Sequence, residues 1–194
     1  MRYLSHAETM RVFQRACVRA GVRVVYSQGF NPHPRMSLVL PRSVGVESDD
    51  EMLCLRLEED EAGFDAEMLK NELPEGIEII SAQISRSKNV PSPDSVRYLV
   101  TTKEGCVIES DYIEGLLAKD KIEVNRRIGE DSKVKPTDVR PFLKSISAKK
   151  TDIIVDCKVS PAGTVRVDEI LSLLQLKVED LAVPVKRMSV TYTD

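Results

Sequence analysis

The chain has 194 residues, enough for one large domain or two small ones. Hydrophobic residues make up 42% and charged residues 30%, so the chain can bury a core and stay in solution, which excludes disorder over most of its length. A net charge of −3 excludes a uniformly basic surface.

No apolar run approaches the ~20 residues that span a bilayer. Residues 1–21 carry arginines throughout and lack the apolar stretch of a signal peptide. The sequence therefore reads as a bacterial-type cytoplasmic protein without membrane association. Tryptophan is absent and aromatics are 5%, which argues against broad stacking on nucleic-acid bases. Cys17, Cys54, Cys106 and Cys157 lie at irregular intervals with apolar neighbours and read as buried, reduced thiols. His6 and His33 have no carboxylate in metal-ligand spacing, so neither a metal nor another cofactor is expected.

The charge is segregated. Residues 1–48 hold seven arginines, no lysine and two acids, for a net +5. Residues 49–80 hold twelve acids against Arg56 and Lys70, for a net −10. Arginine without lysine suits bidentate contact with phosphate or carboxylate. A solvated helix face accounts for the same pattern without any ligand.

Ser5-His6-Ala7-Glu8 has the form of a capping box and starts a helix over residues 6–20, with Gly21 as its stop. Met10, Phe13, Cys17 and Ala20 make its apolar stripe, and Glu8, Arg11, Arg15 and Arg19 its polar one. Residues 22–27 alternate as a strand. Gln28-Gly29-Phe30-Asn31-Pro32-His33-Pro34 breaks regular structure, and a second strand over 35–40 makes a hairpin. A strand over 52–57, a helix over 64–73 and a strand over 77–84 complete the first half.

Residues 86–95 read as a linker. Beyond it the pattern predicts strands over 96–101, 122–127, 139–145, 153–159 and 185–192. It also predicts helices over 111–119, capped by Ser110, and 168–176. The expected fold is α+β: two tandem ferredoxin-like units, each an antiparallel sheet with helices on one face, spanning 1–85 and 96–194. The repeat rests on element order, since the halves share no residue-level identity.

Two strings are distinctive: Tyr3-Leu4-Ser5-His6-Ala7-Glu8-Thr9-Met10-Arg11-Val12-Phe13 and Tyr26-Ser27-Gln28-Gly29-Phe30-Asn31-Pro32-His33-Pro34-Arg35. With Val44-Gly45-Val46-Glu47-Ser48 and Asp138-Val139-Arg140-Pro141-Phe142-Leu143, they resemble the radical S-adenosylmethionine-linked proteins, a bacterial family of unknown function. Its members are fused to radical S-adenosylmethionine proteins or encoded beside them. Members usually carry a further strand before the first string, so the first unit is expected to lack its N-terminal strand. Glu8 stands where the family commonly has aspartate; either acid serves near a helix N-terminus.

The resemblance implies a non-catalytic accessory role beside a radical S-adenosylmethionine enzyme, presenting RNA or a phosphorylated ligand to it. A C-x-x-x-C-x-x-C motif is absent, so the radical chemistry would come from another chain. Ser5, His6, Arg11, Arg15, Arg19, Gly29, Phe30, Asn31, His33 and Arg35 are the candidate binding residues; of these, His6 and His33 are expected to converge with Arg11, Arg35 and the amides at the helix start as an anion pocket. The acidic stretch 49–78 is a candidate docking surface for the partner enzyme. No catalytic residue is assigned, except under an alternative reading. A metal-independent RNA endonuclease would use His6 as general base, an analogy at the level of fold.

Overall fold

The computed structural model describes residues 1–58, 64–87, 89–128 and 133–193. It is a mixed α/β structure that divides into two compact units. The first comprises Met1–Val44 and Glu51–Pro91; the second comprises Ser92–Thr193 together with Gly45–Asp50.

In the first unit, helix α1 spans His6–Arg19. Ser5 caps it as its sequence requires, and Ala20 and Gly21 (φ +69°) end it. Strands β1 (Met36–Leu38) and β3 (Leu53–Leu55) pair antiparallel, with Met36 opposite Leu55. A short helix α2 (Ala66–Lys70) follows, capped by Asp65. The core gathers Ala16 and Cys17 of α1, Val22, Val24 and Leu69, with Met36, Leu55, Leu57, Phe64 and Ile79 packed on it. Ala16 belongs to this core although it lies beside the expected stripe.

Two expected strands of this unit do not form as regular elements. Residues 22–27 make only isolated bridges, Val24 with Leu57 and Tyr26 with Pro34. Residues 77–84 join no ladder among the described residues, and Ile80 and Ile84 stay exposed. Residues 22–27 bond to both 33–35 and 56–58 without a continuous register, whereas 77–84 alternates but has no neighbouring edge to bond with among the described residues. The expected four-stranded sheet of a first ferredoxin-like unit is therefore not displayed by the described residues.

The second unit is built on a five-stranded sheet of order β2-β9-β4-β8-β7. Its strands are β2 (Glu47–Ser48), β4 (Ser92–Thr101), β7 (Leu143–Lys149), β8 (Asp152–Lys158) and β9 (Lys186–Thr193). Helices α3 (Ser110–Leu117) and α4 (Val167–Leu173) follow β4 and β8. A separate hairpin of β5 (Glu123–Ile128) and β6 (Lys133–Asp138) comes between α3 and β7. The β4-α3-β7-β8-α4-β9 path is a split βαβ arrangement. Buried positions alternate along β4 (Val96, Tyr98, Val100) and β8 (Ile153, Val155, Cys157), so one face of the sheet is core.

Several elements differ from the sequence reading: β1, β3 and α2 are shorter, β7 begins at Leu143 after a helical turn over Arg140–Phe142, and β6 has no predicted counterpart. Residues 92–95, placed in the linker, are the start of β4. Glu109, not Ser110, is the residue before α3. The β2 segment, read as loop, adds to the sheet parallel to β9, with Glu47 opposite Lys186. Asp50 secures it there by accepting the Val190 N–H at 2.7 Å. The cysteines also divide. Cys17 and Cys157 are buried, and burial pushes the Cys157 thiol up to about 12, whereas Cys54 and Cys106 are half-buried.

Several carboxyls titrate below their ordinary values in the folded chain. Asp156 is held down by a hydrogen-bonded Arg97, Asp138 by the Ile122 N–H, and Glu8 by Ser5. The unfolded chain therefore binds more protons in acid. This part of the stability is fully present above the unfolded carboxyl values and is lost as pH falls through the folded ones. Urea midpoints are expected to stay level down to roughly pH 5 and to drop below about pH 4. Asp156→Asn should flatten that drop, and an unchanged acid limb would contradict the assignment.

Candidate nucleic-acid interface

The site begins with how α1 is fixed. Ser5 Oγ accepts the Glu8 N–H at 3.3 Å, and the Glu8 carboxylate accepts the Ser5 N–H at 2.8 Å and its hydroxyl at 2.6 Å. Ser5 and Glu8 thus satisfy each other and serve the helix rather than a ligand. The Ser5 bonds, with a smaller contribution from Arg11, keep the Glu8 carboxyl below its ordinary range. His6, the first helical residue, is exposed. Its imidazole makes no hydrogen bond with any other described residue, so nothing orients it as a general base.

Further along α1, Arg11, Gln14, Arg15, Val18 and Arg19 line a shallow depression of about 410 Å³. Arg11, Arg15 and Arg19 fall at four-residue spacing and share one face. Arg19 is already engaged: its Nε lies 2.8 Å from Glu72 Oε2, and Nη2 donates to the Glu72 carbonyl. It ties α1 to the chain after α2 and is not available in the way the sequence suggested. Arg11 and Arg15 are exposed and make no ion pair within 4 Å among the described residues.

Residues 28–33 form a closed loop. The Ser27 N–H donates to the His33 carbonyl at 2.7 Å, and the His33 N–H donates back to Ser27 Oγ at 2.9 Å. The Tyr26–Pro34 bridge continues the pairing. Gly29 has φ +130°, so a side chain there would strain the backbone although the surrounding space is open. Phe30, Asn31 and His33 all face solvent. Among the described residues no hydrogen bond or ion pair links His6 to this loop, so the expected common pocket has no polar connection.

The Asp138–Leu143 string does structural work in the second unit. Asp138 Oδ1 accepts the N–H groups of Ile122 (2.9 Å) and Arg140 (3.0 Å). The Arg140 guanidinium donates to the carbonyls of Leu117, Lys119 and Leu143, satisfying the C-terminal end of α3. Arg140→Lys is expected to cost about 1–3 kcal/mol, because a lysine cannot span three carbonyls. Thermal unfolding would measure it, and an unchanged midpoint would refute the capping role.

The acidic stretch 49–78 is divided between the two units. Asp49 pairs with Lys186 (3.3 Å) in the second unit, while Glu67 pairs with Lys70 (3.1 Å) and Glu72 with Arg19 in the first. Residues 59–63 lie outside the described residues.

The open face of the second sheet is no aromatic platform either. The Arg97–Asp156 pair, Ser145, Thr101 with Asp152, and the Ser95–Thr191 contact place mutually satisfied polar groups on it, around an exposed Ile154. A depression of about 370 Å³ lined by Cys106, Glu109, Tyr112, Gln175 and Asp180 offers acids but no cation. Among the described residues no group of three or more His, Cys, Asp or Glu could hold a metal ion, and no helix is long and apolar enough to cross a membrane. One further cation was missed by sequence reasoning. Arg56 stands next to Arg35, donating its N–H to the Arg35 carbonyl at 3.0 Å.

These features define a two-unit mixed α/β protein whose first unit presents arginines on a capped helix and beside a closed loop. Residues 1–170 match the family described as an uncharacterized protein conserved in bacteria (DUF2344), and the chain belongs to that family. The description names neither an activity nor a link to radical chemistry. No curated protein matches the chain.

Proposed function

We propose that this protein is a non-catalytic RNA-binding module that presents its RNA to a radical S-adenosylmethionine enzyme in the cytoplasm. The observation that carries the RNA reading is the exposed face of α1, where Arg11 and Arg15 point out of a rigidly capped helix with no carboxylate bound to them among the described residues. Guanidinium groups in that state lose little by contacting phosphate and gain charge-assisted hydrogen bonds. The partner rests on the resemblance of the Tyr3–Phe13 and Tyr26–Arg35 strings to the radical S-adenosylmethionine-linked proteins. In architecture, the split βαβ path and strand order of the second unit support a ferredoxin-like reading for it.

Binding of fluorescein-labelled single-stranded RNA, titrated against salt, tests the reading directly. Affinity that falls linearly with salt on a log–log plot supports it. Absence of binding at low salt refutes it.

A further inference from the structure

Phe30 is the most exposed large apolar side chain among the described residues, at 112% of its reference area. A flexible loop would fold such a ring back onto apolar surface. Here the Ser27–His33 bonds close the loop, and Pro32 and Pro34 restrict the backbone behind it. The ring stands in water on a loop closed at its base by these two bonds.

Two arginines stand at the base of this loop. Beyond the Met36–Leu55 pair, Arg56 donates its N–H to the Arg35 carbonyl, Arg35 to the Val25 carbonyl (2.7 Å), and Val25 to the Arg56 carbonyl (2.8 Å). This ring of three backbone bonds fixes Arg35 and Arg56 as neighbours. Both are exposed, and neither makes an ion pair within 4 Å among the described residues. Like charges on adjacent strands repel, and a bound anion relieves the repulsion. Phe30 precedes Arg35 by five residues, at most roughly 17 Å even if that chain were fully extended, and the Ser27–His33 closure shortens it.

An exposed ring in the loop that leads into Arg35, with Arg56 bonded to Arg35 through the backbone, offers what an unpaired nucleotide needs: a stacking surface for the base and cations for its phosphate. A duplex keeps its bases stacked inside and offers the ring no face. We propose that Phe30, Arg35 and Arg56 form a site for an unpaired nucleotide, with Phe30 stacking the base and the two arginines holding phosphate. The proposal rests on the RNA-binding reading above and adds its substrate class, single-stranded over duplex RNA.

Fluorescence anisotropy with a single-stranded RNA of about ten nucleotides, and a duplex of equal length, provides the test. The wild type should prefer the single strand by about ten-fold or more, the value of one good stack. Phe30→Ala should lose about that factor on the single strand with an unchanged salt slope, and Phe30→Tyr should retain it. The Arg35→Ala/Arg56→Ala double variant should instead lower the slope by about 1.4. Equal binding of both RNAs, or undiminished affinity in Phe30→Ala, overturns the site while leaving RNA binding through α1 standing. Failure of the wild type to bind either RNA at low salt overturns both.

Discussion

Glu169→Ala is expected to destabilise the second unit by about 3–5 kcal/mol, because it removes one partner of a buried ion pair. Glu169 is buried at the third position of α4, and its carboxylate meets Arg126 of β5 in a bidentate pair at 2.6 and 2.8 Å. The same carboxylate accepts the Arg166 N–H at 2.8 Å, and Arg126 also donates to the Thr164 carbonyl. Removing the acid leaves a guanidinium buried with a single carbonyl and frees a helix-terminal N–H as well. Urea unfolding followed by circular dichroism measures the loss. Replacing both residues by leucine should recover most of it, because the desolvation cost of both charges disappears together. A loss below about 1 kcal/mol in the single variant would show that the pair is solvated in solution.

The Arg126–Glu169 pair also shows where sequence reasoning stops. Arg126 sits on a strand that alternation predicts, and Glu169 in a predicted helix, but nothing in the spacing says that 43 residues apart they meet. Local signals carried further. The capping box at Ser5 and Glu8 involves neighbours three residues apart, and α1 forms as they dictate. Long alternating runs around Val96–Val100 and Ile153–Cys157 became β4 and β8, because a buried face pins their register. The first half was less legible. Residues 77–84 have the period of a strand without a partner, residues 22–27 are bonded to neighbours on both sides but too irregularly for a ladder, and β6 was missed because Pro136 speaks against a strand that turns out to be one arm of a two-stranded hairpin.

Among the candidate site residues, type and exposure were legible but engagement was not. Arg11, Arg15 and Arg19 look equivalent on a helical wheel, yet Glu72 occupies Arg19 from a distant segment. Arg56 gave no signal of its own inside an acidic stretch; only the β1–β3 register sets it beside Arg35. His6 and His33 attract attention as the only histidines, and the structure leaves both imidazoles facing solvent. The Asp138-Val139-Arg140 string, distinctive in sequence, is explained by capping and turn bonds.

Reversing Arg11 and Arg15 together to glutamate is expected to weaken RNA binding about 25-fold or more at 0.1 M salt, across all sequences tested. Each phosphate contact on a single strand contributes a log–log salt slope near −0.7, so two contacts contribute about −1.4. At 0.1 M salt that is roughly 1.4 log units of affinity, and reversal adds repulsion to the loss. Both side chains are exposed on α1 and outside its core contacts at Ala16 and Cys17, so the fold should survive. Arg19→Ala separates the two roles of this face. Its guanidinium is committed to Glu72, so its removal should lower the unfolding midpoint more than the salt slope. The measurement is a pair of titrations, RNA anisotropy against salt and urea unfolding, on the same three proteins. If the double reversal keeps the wild-type slope and Arg19→Ala keeps it too, the phosphate contacts lie elsewhere and the α1 face is ordinary solvated surface.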